Sequence, residues 1–301
     1  MRKYCFLAVD IGNTCTKFAM WYVSGIQSFP ELEKDLPIPL PSMEFSDATA
    51  DFDELKCRLT SFPPDLPSHW LVSSVNERKT NVFTEVVEQL RPQDEIVVLA
   101  IDDIPMSVCY DDPHKLGVDR AVAAFAGIRQ VGAGRPFLVV DVGTAMTIDY
   151  VDSEGVFRGG AILPGPRLMT TSLNKNTYKL PLLTSVDDSL TGQGIENVPT
   201  YPATETHDAI NLGVIYSQVG AICSFYWKVR RTILENGGDV ESFSILLAGG
   251  DSSLIQEMTL RCFKDLDFNL VSNLSVPTIT IERHLIVNGL YELYSLRERR
   301  I

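Results

Sequence analysis

Phe6-Leu7-Ala8-Val9-Asp10-Ile11-Gly12-Asn13-Thr14-Cys15-Thr16 is answered in the second half of the chain by Phe137-Leu138-Val139-Val140-Asp141-Val142-Gly143-Thr144-Ala145-Met146-Thr147. Each copy is a short apolar run that ends in an aspartate and turns at a glycine beside small hydroxyl or amide residues. Runs this short and this rich in branched side chains predict buried strands rather than helices. Glycine at the turn lets the backbone approach a ligand closely, and threonine or asparagine can donate to phosphate oxygens. An aspartate at the carboxyl end of a strand can hold a metal or orient water. One such turn alone is simply how a strand ends; two, one per half of the chain, predict two like-folded domains facing one polyphosphate. An offset this long is a domain duplication, not a solenoid period.

The rest of the composition fits that size of protein. A chain of 301 residues accommodates two modest domains, each with its own core. The net charge of -13 argues against a nucleic-acid partner, which needs clustered Lys and Arg, but not against a nucleotide, whose charge a metal and backbone amides can offset. The six cysteines are scattered and form no Cys-x-x-Cys pair, the pattern of reduced thiols rather than of a disulfide framework or zinc site. The apolar start is too short for a signal peptide and meets Asp10, and no run is read as approaching transmembrane length. These readings predict a soluble, cytoplasmic protein with no membrane partner.

Outward from the first copy, Thr16 to Val23 alternates as the second strand of a hairpin. Residues 24–67 carry Pro30, Pro37, Pro39, Pro41, Pro63, Pro64 and Pro67 and read as a long loop or insertion, with a short helix candidate near Asp51–Leu59. A strand at 70–75, a helix at 81–90 and a strand at 96–100 then alternate in the α/β manner. An Ala-rich helix follows from Leu116 to Val131, and Phe137 opens the second copy, with a strand at 148–151. The stretch Gly159-Gly160-Ala161-Ile162-Leu163-Pro164-Gly165 precedes a helix reaching about Leu173. Residues 183–202 read as polar loop, and Thr206 to about Leu234 as one long helix. Ile245-Leu246-Leu247-Ala248-Gly249-Gly250-Asp251 is a third strand-to-glycine turn, and Leu285 to Tyr294 a C-terminal helix. The domain limits are set at 1–130 and 131–301, with the C-terminal helix packing back on the first domain.

Several nucleotide and hydrolase signatures are absent. The chain has no Gly-x-x-x-x-Gly-Lys-Ser/Thr loop, no Ser nucleophile elbow and no His-Glu-x-x-His motif, and Gly132-Ala133-Gly134 precedes a strand instead of following one. The paired Asp-x-Gly turns with the later Gly-Gly turn instead resemble the duplicated fold of the acetate and sugar kinase, actin and Hsp70 superfamily. That resemblance implies two actin-like (ribonuclease H-like) α/β domains with the active site in the cleft between them.

A narrower resemblance rests on Tyr110-Asp111-Asp112-Pro113-His114-Lys115-Leu116-Gly117-Val118-Asp119-Arg120. With the two Asp-x-Gly turns, Gly159 to Gly165, Leu180-Pro181, Thr206-x-x-Ala209-Ile210-x-x-Gly213 and Gly249-Gly250-Asp251, it is similar to type III pantothenate kinases. The motifs follow the family's order and span nearly the whole chain; the ordered set, not any one member, is specific. The resemblance implies ATP-dependent phosphorylation of pantothenate to 4′-phosphopantothenate, the first step of coenzyme A biosynthesis, by a homodimer.

Residue by residue, it implies that Asp10, Ile11, Gly12, Asn13, Thr14, Cys15, Thr16 and Lys17 form the first phosphate loop, with Asp10 near the Mg²⁺ of the ATP complex. Thr144 would touch ATP and Asp141 would bind a monovalent cation, K⁺ or NH₄⁺. Tyr110, Gly117, Val118, Asp119 and Arg120 would line the pantothenate pocket, with Asp119 accepting the proton of the primary hydroxyl. Thr206 would reach pantothenate, from the dimer neighbour's helix in this family. Plainer readings stand beside these: a carboxylate opening a helix is favoured by the dipole alone, and Thr206 could be an ordinary N-cap. Residues 24–67 and 183–202 look longer than the family's core, the second near the expected substrate and dimer contacts. The alternatives are a kinase for another small alcohol and a regulatory protein of the Bvg accessory factor type.

Overall fold

The apolar run before Asp10 is the central strand of a mixed sheet in the computed structural model, which describes residues 3–24, 38–44, 56–57, 59–60, 67–183, 198–250, 252–267 and 276–298. Strand β1 (Lys3–Ile11) is flanked by β2 (Cys15–Ser24) on one side and β4 (Ser68–Ser74) on the other. Strands β3 (Ile38–Glu44) and β5 (Glu95–Val98) complete the order β3-β2-β1-β4-β5. The β1–β2 and β2–β3 pairs are antiparallel, and β1–β4 and β4–β5 parallel. A strand covered on both faces needs apolar side chains throughout, which is why residues 5–9 show no alternation. Cys5, Leu7, Val9 and Ile11 pack with Trp70, Val72, Phe83, Val86 and Val87, the last three from helix α1 (Glu77–Leu90). On the opposite face Phe6 stacks on Tyr294 of helix α6 (Leu285–Glu298), which packs on β1, β2 and β4.

The second copy builds the same sheet. Strands β6 (Phe137–Val142), β7 (Ala145–Val151), β8 (Phe157–Pro164), β9 (Ser244–Gly249) and β10 (Thr278–Ile281) stand in the order β8-β7-β6-β9-β10. Again the first two pairings are antiparallel and the last two parallel. The long helix α4 (Thr206–Glu235) supplies Val214, Ile215, Val219, Ile222 and Tyr226 to a core with Leu138, Val140, Val142, Ile245 and Leu247. Helix α3 (Pro166–Asn176) and helix α5 (Ser252–Asp267) pack against α4. By packing, the chain divides into one unit of residues 1–105, 111–126 and 285–301 and another of 106–110 and 127–284, so that helix α2 (Val118–Val131) contributes to both.

Several elements differ from the sequence reading. Part of the supposed proline-rich loop is β3: proline lacks a donor for the ladder, but an edge strand needs only one bonded side, so Pro39 and Pro41 are accommodated there. Of the helix candidate near 51–59, residues 56, 57, 59 and 60 are helical and Leu59 is buried; the remainder lies outside the described residues, as do 184–197 and Asp251. The glycine-rich stretch 159–164 belongs to β8, and α5 and β10 have no counterpart in the reading. Contrary to the expectation that no run approaches transmembrane length, α4 has 30 residues and a mean hydropathy of 1.3 over its most apolar 18. Its apolar side chains are nonetheless those of a core helix, and it buries Asn211, Gln218 and Arg230 among them.

The repeat is also not quite in register. Asp10 pairs across its hairpin with Lys17, whereas Asp141 pairs with Thr147. Ile11 and Thr16 therefore enclose one residue more than Val142 and Met146 do. The ungapped alignment holds through each glycine and slips by one after the turn, so Thr147 is the structural counterpart of Lys17, not of Thr16.

Candidate active site

In the first unit, the hairpin tip Gly12–Cys15 closes with the Gly12 amide donating to the Cys15 carbonyl at 3.0 Å. Asp10 is buried at the base of the tip, opposite Lys17 on β2 and Ser73 on β4. Ile11 and Thr16 are buried too, so the groups offered to solvent are Gly12, Asn13, Thr14, Cys15 and Lys17. The β4–α1 junction lies against this tip because β1 and β4 run in parallel to the pair Ile11 and Ser74. There the Val75 amide donates to the Ile11 carbonyl at 3.3 Å, and Lys79 Nζ donates to the Asn13 carbonyl at 2.7 Å. Helix α1 is capped by Asn76, whose side chain accepts from the Lys79 amide at 3.0 Å.

The same unit carries Gly117, Val118, Asp119 and Arg120. A 3₁₀ turn at Pro113–Lys115, capped by Asp112, leads into α2. Asp119 stands in the first helical turn and its Oδ1 accepts from the Arg120 amide at 2.7 Å. The carboxylate folds back over Gly117, where a Cβ would lie 2.5 Å from Oδ1 and 3.6 Å from Val75 Cγ1. A side chain at 117 would make the Asp119 carboxylate turn aside from this position. Val75 therefore bonds the base of the hairpin tip through its amide and carries its side chain close to the Gly117 turn, so the two motifs lie near one another.

In the second unit the Gly143 amide donates to the Ala145 carbonyl at 3.1 Å, closing the shorter tip. Asp141 is half-buried and Thr144 exposed. This tip is held from behind. The Gly165 amide donates to the Thr144 carbonyl at 2.9 Å, and a Cβ on Gly165 would fall 2.0 Å from the Gly143 carbonyl oxygen. Gln218 of α4, buried, donates through Nε2 to the Pro164 carbonyl at 3.1 Å, and Pro164 pairs with Ala145. Gly249 has φ +92° and sits against β6, its Cβ position 2.1 Å from the Val142 carbonyl oxygen. Such a backbone conformation and such a contact both require glycine.

Tyr110 stands at the other end of β8. Residues 107–109 run beside Phe157, with the Cys109 amide donating to the Phe157 carbonyl at 2.8 Å, and the Tyr110 ring lies 3.9 Å from the Cβ position of Gly159. Thr206 is exposed and is the first helical residue of α4; the cap is Glu205, without a side-chain bond. An N-cap role for Thr206 is thus not what the structure shows. Lys79 and Gln218 escaped the sequence reading: each acts on a carbonyl brought near only by folding, and neither stands inside a glycine motif. Among the described residues no three His, Cys, Asp or Glu side chains form a cluster able to hold a metal by themselves.

Two like sheets, each with an Asp-x-Gly turn at the tip of its central hairpin, define the class of the actin-like ATPases and kinases. Residues 6–228 match the family described as type III pantothenate kinase, and this chain belongs to that family. Relatives of that name include the protein of Rubrobacter xylanophilus, 29% identical over 98% of both chains, and that of Kosmotoga olearia, 31% identical over 82% of this chain and 85% of the relative. The similarity to the one from Rhodopirellula baltica is higher, 35%, but covers 54% of this chain and 53% of that one. Among solved structures, the activator of the 2-hydroxyisocaproyl-CoA dehydratase from Clostridium difficile with bound ADPNP is 12% identical, with a TM-score of 0.43, covering 98% of this chain and 97% of that one. The fold assignment rests on the order and direction of the strands.

Proposed function

We infer that this chain transfers the γ-phosphoryl group of ATP to the primary hydroxyl of pantothenate, forming 4′-phosphopantothenate at the entry to coenzyme A synthesis. Family membership carries the substrate. The observation that supports the chemistry is Val75, which bonds Ile11 at the base of the first hairpin tip and lies close to the Gly117 turn over which Asp119 folds. The regulatory alternative finds no support among the relatives, which are named as kinases.

In this reading the amides and polar side chains of residues 12–15 and Thr144 receive phosphate oxygens, and Lys17 adds positive charge. Phosphoryl transfer is mostly positioning and charge neutralisation, so little covalent work falls to the protein. Tyr110, Gly117, Val118 and Arg120 orient pantothenate, together with Thr206. Asp119 is far too weak a base to strip an alcohol beforehand; it orients the hydroxyl and takes its proton late, as the bond to phosphorus forms. Mg²⁺, when bound with ATP, supplies charge neutralisation across the phosphates. A buried carboxylate, Asp10, that belongs to no cluster of three His, Cys, Asp or Glu side chains among the described residues suits a metal held mainly by phosphates and water. Asp141, at the matching position of the second sheet, is the proposed ligand of a monovalent cation, K⁺ or NH₄⁺.

The direct test is ADP release by the purified chain with ATP, Mg²⁺ and pantothenate, with and without K⁺. Pantothenate-dependent turnover that rises with K⁺ is expected. Turnover without a K⁺ response would remove the Asp141 assignment, and no turnover from folded protein would remove the substrate.

The packing behind the second tip gives a sharper expectation. Gly165→Ala places a methyl against two carbonyl oxygens that cannot rotate away, so Thr144 must shift. Titration with a non-hydrolysable ATP analogue should show affinity falling at least about 10-fold, a loss typical of a misplaced binding loop. Gly220→Ala, where nothing lies within 4 Å of the Cβ position, should leave affinity unchanged.

The chain is proposed to act as a cytoplasmic homodimer. Ile162, Leu168, Tyr178, Leu182, Tyr201 and Tyr216 are exposed apolar residues of the second unit, on or beside β8, α3 and α4, and suit such an interface. All six cysteines are free, in keeping with a reducing compartment. Sedimentation at micromolar concentration should show a dimer; a monomer would count against Thr206 completing a neighbour's site.

A further inference from the structure

We propose that Lys79 is a positioning residue of the first phosphate loop, setting nucleotide affinity by fixing the peptide between Asn13 and Thr14. The proposal rests on the kinase reading above. Asn13 is the exposed residue of the tip. Lys79 Nζ holds that oxygen at 2.7 Å. In a planar trans peptide the carbonyl and the following N–H point in opposite directions. Drawing the Asn13 carbonyl toward α1 therefore aims the Thr14 N–H away from α1. In the kinase reading that amide is one of the tip's donors for phosphate, and orienting it before any ligand arrives is where preorganised donors gain their effect.

Lys79 is itself held in place. Its amide donates to the Asn76 side chain at 3.0 Å. On the next residue, Thr80 Oγ1 lies 2.6 Å from Ser74 Oγ and 2.9 Å from the Asn76 carbonyl. The β4–α1 junction is thus pinned to the sheet, and the Lys79 stem starts from a fixed point. The ammonium also brings a positive charge to the tip, which an anionic ligand favours.

The test compares the parent chain with Lys79→Met, Lys79→Gln and Lys79→Arg, measuring affinity for a non-hydrolysable ATP analogue, the KM for ATP and for pantothenate, and thermal unfolding without ligand. Lys79→Met and Lys79→Gln should weaken analogue binding and raise the ATP KM about 10-fold, the scale of one lost charge-assisted hydrogen bond. The pantothenate KM and the unfolding temperature should stay unchanged, and Lys79→Arg should recover most of the loss. Unchanged analogue binding in Lys79→Met would overturn the proposal, and so would an equal rise in both KM values or a lowered unfolding temperature, which marks a merely structural residue. A parent chain that binds the analogue but does not turn over pantothenate sinks the substrate reading and leaves the Lys79 comparison intact. A parent chain that does not bind the analogue sinks both.

Discussion

Asp119→Asn is expected to lower kcat by about 10²- to 10⁴-fold, the range for removing a general base, or roughly 3–5 kcal/mol of transition-state stabilisation. The substitution is close to isosteric. An amide oxygen can still accept from the Arg120 N–H, as Asp119 Oδ1 does at 2.7 Å, and it occupies the space that Gly117 leaves. The fold and the affinity for the ATP analogue should therefore stay within a few-fold of the parent. What is lost is the acceptor for the hydroxyl proton. Single-turnover measurements at saturating ATP and pantothenate isolate that step from binding and release. Retained single-turnover rate would remove Asp119 from the chemistry.

The largest expected effect on stability lies away from the chemistry, at Asp94. Its carboxylate is paired with Arg91, and both side chains are almost fully buried. It also accepts from Trp70 Nε1 at 2.8 Å and from the Ser68 amide at 3.0 Å, while Arg91 Nη2 donates to Ser68 Oγ at 3.3 Å. Asp94→Ala leaves a buried guanidinium and an indole N–H without this partner, a change that costs about 3–5 kcal/mol. For a unit of this size that corresponds to a fall of about 10 °C in the first thermal transition. Replacing Arg91 by Met together with Asp94 by Leu should cost less than Asp94→Ala alone, because a missing pair leaves no uncompensated charge. Calorimetry of the two variants checks the order; a double replacement that costs more would show that the pair is net stabilising.

Both effects turn on contacts between residues distant in sequence, and this separates what could be read from the chain alone. The strands before Asp10 and Asp141 were legible because both faces are covered, so every side chain had to be apolar. The glycines at 12, 143 and 249 were legible because each closes an apolar run beside small polar residues, and at 249 a φ of +92° demands glycine outright. Edge strands gave weaker signals. β3 carries prolines that mark loops elsewhere, and beyond Phe157 β8 alternates between half-buried and exposed positions around glycines, so neither looked like a strand. The one-residue slip between the repeats was hidden because a turn can absorb a residue without altering the residues around it.

Sequence by itself determined the duplication, the α/β class, the positions of both Asp-x-Gly turns and the family, since these follow from local residue pattern and motif order. Only the tertiary structure decided that Val75 links the first tip to the Gly117 turn, that the Asp119 carboxylate lies over Gly117, and that Lys79 and Gln218 stand behind the two tips. Those contacts depend on which strands lie side by side. Hydrogen bonding between β1 and β4 and between β7 and β8 sets them, and no periodicity along a single segment records its neighbour.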